Sequence, residues 1–73
     1  MTIDDYIARR NQIQLKAEAI DKETADRCWA ELGVANRHIQ RVLGGQLPLR
    51  IVSDEIEKCF RRVTKEFGFN AEA

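Results

Sequence analysis

Apolar residues recur along this 73-residue chain with the three-to-four spacing of amphipathic helices, and no segment shows the strict alternation of a half-buried strand. The clearest segment lies near the C-terminus, where the apolar positions are Ile56, Phe60, Val63 and Phe67. Since a chain of this length forms one domain, the pattern predicts an all-α fold, a small four-helix domain spanning residues 1–73. Its helices are predicted over about residues 3–20, 25–32, 35–43 and 54–67.

Residues that cap helices predict where three of these helices begin. Thr2 and Asp5 have the spacing of a capping box at the start of the first helix. Thr24 is placed to cap the second helix, and Ser53, followed by two acidic residues, marks the start of the fourth. The only cluster of glycine and proline, at residues 44–48, predicts the end of the third helix and the opening of a loop before the fourth.

The stretch from Leu32 to Gly45 predicts the turn and second helix of a helix-turn-helix, an element that DNA-binding proteins place in the major groove. Gly33 lies where two short helices would meet at a sharp angle, a position that usually requires a positive φ and therefore glycine. On the following helix one face is apolar and predicted to pack, with Val34, Ile39, Val42 and Leu43. The opposite face is polar and predicted to be exposed, with Asn36, Arg37, Gln40, Arg41 and Gly44.

The first helix carries an apolar stripe that must be buried against something. One interpretation is that the stripe packs against the core of its own domain. The spacing of Tyr6, Ile13 and Ile20 by sevens, as in a coiled coil, instead favours the seam of a homodimer. That seam would consist of Ile3, Tyr6, Ile13, Ala17 and Ile20. The pattern leaves both interpretations open.

The charges of the chain balance, with 12 basic and 12 acidic residues, which argues against non-specific coating of DNA. Their distribution is uneven. Residues 35–65 hold seven basic side chains against three acidic ones, a surplus of four positive charges, whereas residues 1–34 hold five against seven. The predicted DNA-facing part is therefore basic within a neutral protein.

Few side chains are available for catalysis or metal binding. Cys28 and Cys59 lie beside apolar residues in helical patterns, which predicts buried structural thiols in a reduced, cytoplasmic protein. With His38 they are too few and too scattered for a zinc site, so no metal or other cofactor is expected. No nucleophile can be paired with a base, so the chain is not expected to be an enzyme. No apolar run approaches the roughly 20 residues that span a bilayer, and no membrane segment is expected.

From Thr24 to Phe69 the chain resembles the N-terminal DNA-binding headpiece of the lactose-repressor family of transcriptional regulators. That family's pattern is an opening Thr, a short helix, an Ala/Leu-Gly-Val turn, a recognition helix ending in Arg-Val-Leu-Asn-Gly, a loop, Val-Ser, and a helix closing at Leu-Gly-Tyr. The matching residues here are Thr24, Leu32-Gly33-Val34, Arg41-Val42-Leu43-Gly44-Gly45, Val52-Ser53 and Phe67-Gly68-Phe69. The Leu-Gly-Val turn and the glycine-containing loop are also similar to those of small, stand-alone phage repressors.

The resemblance implies roles for particular residues. The two positions that choose the base sequence fall on Asn36 and Arg37, and the arginine that reads guanine falls on Arg41. Thr24 would hold a phosphate at the amino end of the second helix. The full set of predicted DNA contacts is Thr24, Asn36, Arg37, Gln40, Arg41, Gly45 and Arg50.

Several positions differ from the family pattern. Trp29 replaces a small Ala that lets the two helices approach, so either the helix crossing is splayed or the indole points outward. Ala35 replaces a Ser that caps the recognition helix, and the loop at residues 44–51 is a few residues longer. Residues 1–20 have no counterpart in the family pattern. The resemblance also does not imply that this protein binds a small-molecule inducer.

Two functional classes remain open at this stage. The first is a sequence-specific regulator of transcription, a small repressor that binds a palindromic duplex operator as a homodimer. The second is a protein-binding module that keeps a helix-turn-helix shape without reading DNA. The polar face of residues 36–41 favours the first, while the neutral net charge and Trp29 favour the second.

Overall fold

The computed structural model describes residues 1–69 and contains four helices in that range, with no strand. They are α1 (Ile3–Glu18), α2 (Lys22–Glu31), α3 (Gly33–Leu43) and α4 (Leu49–Phe67). The predicted all-α class and the number of helices are confirmed, and the last four residues of the predicted domain lie outside the described part of the chain.

The helices enclose one core, to which all four contribute. α1 packs mainly along α2 and α3 mainly along α4, while α1 also contacts α3 and α4. The largest fully buried side chains are Phe60, Leu32, Ile39, Ile56, Val63 and Cys28. Since most of them lie on α3 and α4, this pair is the most extensively packed part of the molecule.

The apolar stripe of α1 packs into this core. Tyr6 and Ala17 are buried, and the Tyr6 ring lies 6.3 Å from that of Phe60, measured between centroids. Ile3 and Ile13 are partly buried against the same cluster. The interpretation that the stripe packs within its own domain is therefore confirmed. The dimer seam is wrong for Tyr6 and Ala17, because their side chains are buried within the domain. Ile3 and Ile13 keep part of their surface exposed, and Ile20, past the end of α1, is 58% exposed.

The start of α1 is as predicted, but the cap of α2 is not. The Asp5 carboxylate accepts a hydrogen bond from the Thr2 amide at 2.8 Å, as in a capping box. In α2 the capping residue is Asp21, whose carboxylate accepts from the Thr24 amide at 2.7 Å. The prediction that Thr24 caps this helix is wrong, because Asp21 lies three residues earlier and its negative charge suits the positive end of the helix.

The fourth helix begins five residues earlier than predicted, directly after Pro48. Ser53 is therefore inside α4 and not its cap, and its hydroxyl lies 3.5 Å from the Arg50 carbonyl oxygen. The added turn continues the apolar spacing of the helix, since Leu49 and Val52 both pack on the core. The loop between α3 and α4 is consequently only residues 44–48, shorter than the sequence pattern indicated.

α2 and α3 are joined by one residue, Leu32, with helical backbone angles (φ −79°, ψ 0°). Its amide bonds to the Cys28 carbonyl and its own carbonyl accepts from the Asn36 amide, both at 2.9 Å. Gly33 is the first residue of α3, and the positive φ expected there is wrong, because the chain passes between the helices without leaving helical geometry. Positive φ occurs instead at Gly45 and Gly68, at 74° in each.

Candidate nucleic-acid interface

The exposed face of α3 carries three long polar side chains, Arg37, Gln40 and Arg41. No acidic residue occurs in this helix, and within residues 1–69 neither arginine lies within ion-pair distance of a carboxylate. The opposite face is held in the core by Ala35 and Ile39. Because the buried face fixes the rotation of the helix, the three polar side chains point into solvent together.

Val42 packs on the core as predicted, but three other residues of α3 depart from the predicted division into two faces. Asn36 is half-buried at the boundary with α1, where its Oδ1 atom lies 3.4 Å from an Nη atom of Arg10. Val34 and Leu43, predicted to pack, are 38% and 58% exposed. The buried face of α3 is thus narrower than its apolar residues indicated, since only one side of this short helix meets the rest of the domain.

Trp29 lies on the outside of α2, 47% exposed, so the indole points outward rather than between the helices. The guanidinium carbon of Arg10 lies 5.4 Å from the centre of its ring, within the range of a cation–π contact. Arg10 therefore touches both Trp29 on α2 and Asn36 on α3. It was not among the predicted site residues, although a charged side chain at this position, between Ile7 and Ile13 of the apolar stripe, is visible in the sequence.

Gly45 and Arg50 lie at the carboxyl end of α3. Gly45 is exposed and has a positive φ, which reverses the chain so that the Gln46 amide can bond to the Arg41 carbonyl at 2.9 Å. Arg50 follows after the short loop, exposed in the first turn of α4. The structure thus brings these two residues and Arg41 to the same end of the α3–α4 pair.

Thr24 is set apart from this group. It is half-buried in the first turn of α2, where its amide is already bonded to Asp21. That hydrogen bond holds the pKa of the Asp21 carboxyl below its usual range, so the group is ionised at neutral pH. A phosphate at this end of α2 would meet a carboxylate in place of free amides, and the predicted contact between Thr24 and phosphate loses its physical basis.

Other chemistry is sparse in the described part of the chain. Cys28 and Cys59 are free and buried, as predicted, and burial raises the pKa of the Cys28 thiol. Within residues 1–69 no three His, Cys, Asp or Glu side chains cluster as metal ligands would. Over the same range each helix is too short or too polar to cross a bilayer.

Comparison with protein families, with characterised proteins and with solved structures finds no significant match for this chain. The resemblance to the lactose-repressor headpiece therefore rests on the sequence motifs alone.

Proposed function

We propose that this protein is a sequence-specific duplex-DNA-binding regulator, a small repressor that occludes a promoter, with α3 as its recognition helix. The observation that carries the proposal is the row of Arg37, Gln40 and Arg41 on the exposed face of α3. α2 and α3 would act as a compact helix-turn-helix, joined by Leu32 where such motifs usually have a turn of 3–4 residues. Its free, unbridged cysteines fit a reducing cytoplasm.

The side chains on this face suit base recognition. An arginine can donate two hydrogen bonds to O6 and N7 of guanine, and a glutamine can bond to N6 and N7 of adenine. An α-helix with its side chains is about 10–12 Å across, and the major groove is about 12 Å wide. The helix would therefore fit the groove, with Arg50 placed to contact a phosphate beside the end of α3.

The proposed role of Asn36 is smaller than the sequence pattern implied. Its amide is half-buried and faces Arg10, so it must leave that contact before it can reach a base edge. Within residues 1–69, neither Arg37 nor Arg41 makes a side-chain hydrogen bond or ion pair with the domain. We therefore assign the main readout to these two arginines and to Gln40.

The proposal is tested by titrating a fluorescent fragment of the gene's upstream region at two salt concentrations. Arg37→Ala and Arg41→Ala should each weaken binding to the preferred site by about 1–3 kcal/mol and relax the preference at one base pair. Arg61→Ala removes the same group from α4, on a different surface, and is the matched control. Equal affinity of all three variants for the preferred site would show that α3 does not read DNA.

A second candidate function is a protein-binding module, and the exposure of Trp29 favours it. A half-exposed tryptophan with an arginine over its ring is typical of residues that anchor protein interfaces. If this function is correct, a pull-down with the parent or with Arg37→Ala should recover a protein partner. A pull-down with Trp29→Ala should not recover it. The first function predicts the reverse, with DNA affinity lost in Arg37→Ala and kept in Trp29→Ala.

A further inference from the structure

A cleft of about 560 Å³ lies between α1 and the C-terminal half of α4. We call it the α1–α4 cleft, and its lining comes from one face of α1, from α4 and from the two residues that follow α4. Its volume is in the range of about 300–1,000 Å³ that small-molecule sites occupy. No residue of α3 lines it, so it is separate from the proposed DNA-binding face.

The floor of the cleft is apolar, and the residue that follows the C-terminal cap of α4 forms part of it. Gly68, with φ at 74°, ends the helix in a Schellman motif, in which the Phe69 amide bonds to the Thr64 carbonyl at 2.8 Å. The reversal turns the Phe69 side chain back over the domain, where it joins Phe60 and Ile13 in the lining. Phe60 and Phe69 are almost fully buried, so an apolar group placed in the cleft would meet the small exposed parts of these rings beside Ile13.

The rim of the cleft is cationic. Lys16, Arg61 and Lys65 line it and are exposed, and within residues 1–69 none of them lies within ion-pair distance of a carboxylate. A fourth cation, Arg9, is already neutralised by Glu57 and lies over the Phe60 ring. Among residues 1–69, no acidic side chain lines the cleft. Three unneutralised positive charges surround one apolar floor, an arrangement that attracts an anion with an apolar body.

We propose that the α1–α4 cleft binds a small amphipathic organic acid. Its apolar body lies against Ile13 and the exposed part of Phe69, and its acid group meets Lys16, Arg61 and Lys65. The length of the cleft favours a small molecule over a protein helix. Arg9 and Lys16, at its two ends on α1, are seven residues apart, so the lined segment is only about 10 Å long.

The test compares two fluorescent probes of similar shape that differ in charge. 1-Anilinonaphthalene-8-sulfonate is an amphipathic anion, and N-phenyl-1-naphthylamine is its neutral counterpart. Lys65→Gln should raise the dissociation constant of the sulfonate about two- to fivefold and leave that of the neutral probe unchanged. The matched control is Lys58→Gln, which removes an exposed lysine from α4 outside the cleft and should leave both constants unchanged. Decanoate should displace the sulfonate, whereas decanol at the same concentration should not.

The binding position is checked by amide chemical shifts on the labelled full-length protein. Shifts on adding the sulfonate should concentrate at Ile13, Thr64 and Gly68, which line the cleft. The proposal is overturned if the shifts map to another surface, if the neutral probe binds as tightly as the sulfonate, or if Lys58→Gln and Lys65→Gln weaken binding equally. Because α3 is outside the cleft, these results do not depend on whether the protein binds DNA.

Discussion

Among single residues, Gly33 and Gly45 lie at or just beyond the two ends of α3. They differ in how an added side chain would change the stability of the fold. A Cβ atom at either position would meet nothing within 4 Å, but only Gly45 has a positive φ. Gly33→Ala should therefore stabilise the fold by about 0.4–1 kcal/mol, because alanine restricts the unfolded chain. Gly45→Ala should destabilise it by about 1–2 kcal/mol. Urea unfolding followed by circular dichroism measures both, and a loss of stability in Gly33→Ala would show that this position needs glycine after all.

Trp29 is large but only partly covered, so its contribution to stability should be modest. Trp29→Ala should lower the free energy of unfolding by about 1–2 kcal/mol, less than the 3–5 kcal/mol that a fully buried tryptophan loses. Leu32→Ala, at a fully buried residue, is the comparison and should cost about 2–5 kcal/mol. The emission maximum of the native protein should lie near that of a solvent-exposed indole. A strongly blue-shifted maximum would place the ring inside the domain.

At the scale of helices, periodicity predicted the number and type of elements, because buried faces repeat every three to four residues. Their ends were harder to predict, because several residues could serve as caps. Asp21 and Thr24 both suit an N-cap, and so does Ser53, whose helix in fact begins at Leu49. The apolar spacing of Leu49 and Val52 was visible in the sequence, but their position next to Pro48 placed them in a predicted loop. Which residue becomes the cap depends on how much apolar surface an additional turn can bury.

The Asp21 cap predicts how stability depends on pH. The pKa of Asp21 is lowered in the folded state by its hydrogen bond to the Thr24 amide, so folding favours the ionised form. This contribution is complete above the ordinary aspartate pKa of about 3.9 and is lost as the pH falls below it. Asp21→Asn keeps an acceptor oxygen but cannot ionise, so its stability should fall less than that of the parent in acid.

The experiment is urea unfolding at pH 7 and pH 3, with Asp26→Asn as the control. That substitution removes an exposed carboxylate from the same helix but no capping hydrogen bond. Asp5 is also held at a lowered pKa by the Thr2 amide, so part of the acid sensitivity should survive in Asp21→Asn. An identical loss of stability in the parent and in Asp21→Asn would contradict the role of this cap.

At the scale of the whole molecule, the candidate site was predictable only in part. The exposure of Arg37, Gln40 and Arg41 followed from the periodicity of one helix. The positions of Arg10 and Trp29 did not, because they depend on how α1 lies across α2 and α3. The same contacts between helices determine whether the α1 stripe is buried. Its spacing in the sequence suited a domain core and a dimer seam equally well.

The homodimer stays a prediction, and it would have to use a surface other than the buried part of that stripe. Two-fold symmetry would place two copies of α3 about 34–36 Å apart, one turn of DNA, which a palindromic site requires. Of the exposed apolar residues, Leu15 is 61% exposed on α1, on the side facing away from the core. Leu15→Asp should convert a dimer, seen by sedimentation equilibrium at tens of micromolar, into a monomer with an unchanged helix content.

Ile13→Asp tests the packing of α1 against the core in solution. Ile13 is packed against the core, so a carboxylate there should lower the melting temperature of the domain, because a buried charge without a partner is costly. In a dimer held by the stripe it would instead release folded monomers. If the mass of the parent measured by sedimentation is 8.4 kDa at every concentration, a dimer in free solution is excluded. A folded Leu15→Asp variant that stays dimeric would show that the seam lies away from this face of α1.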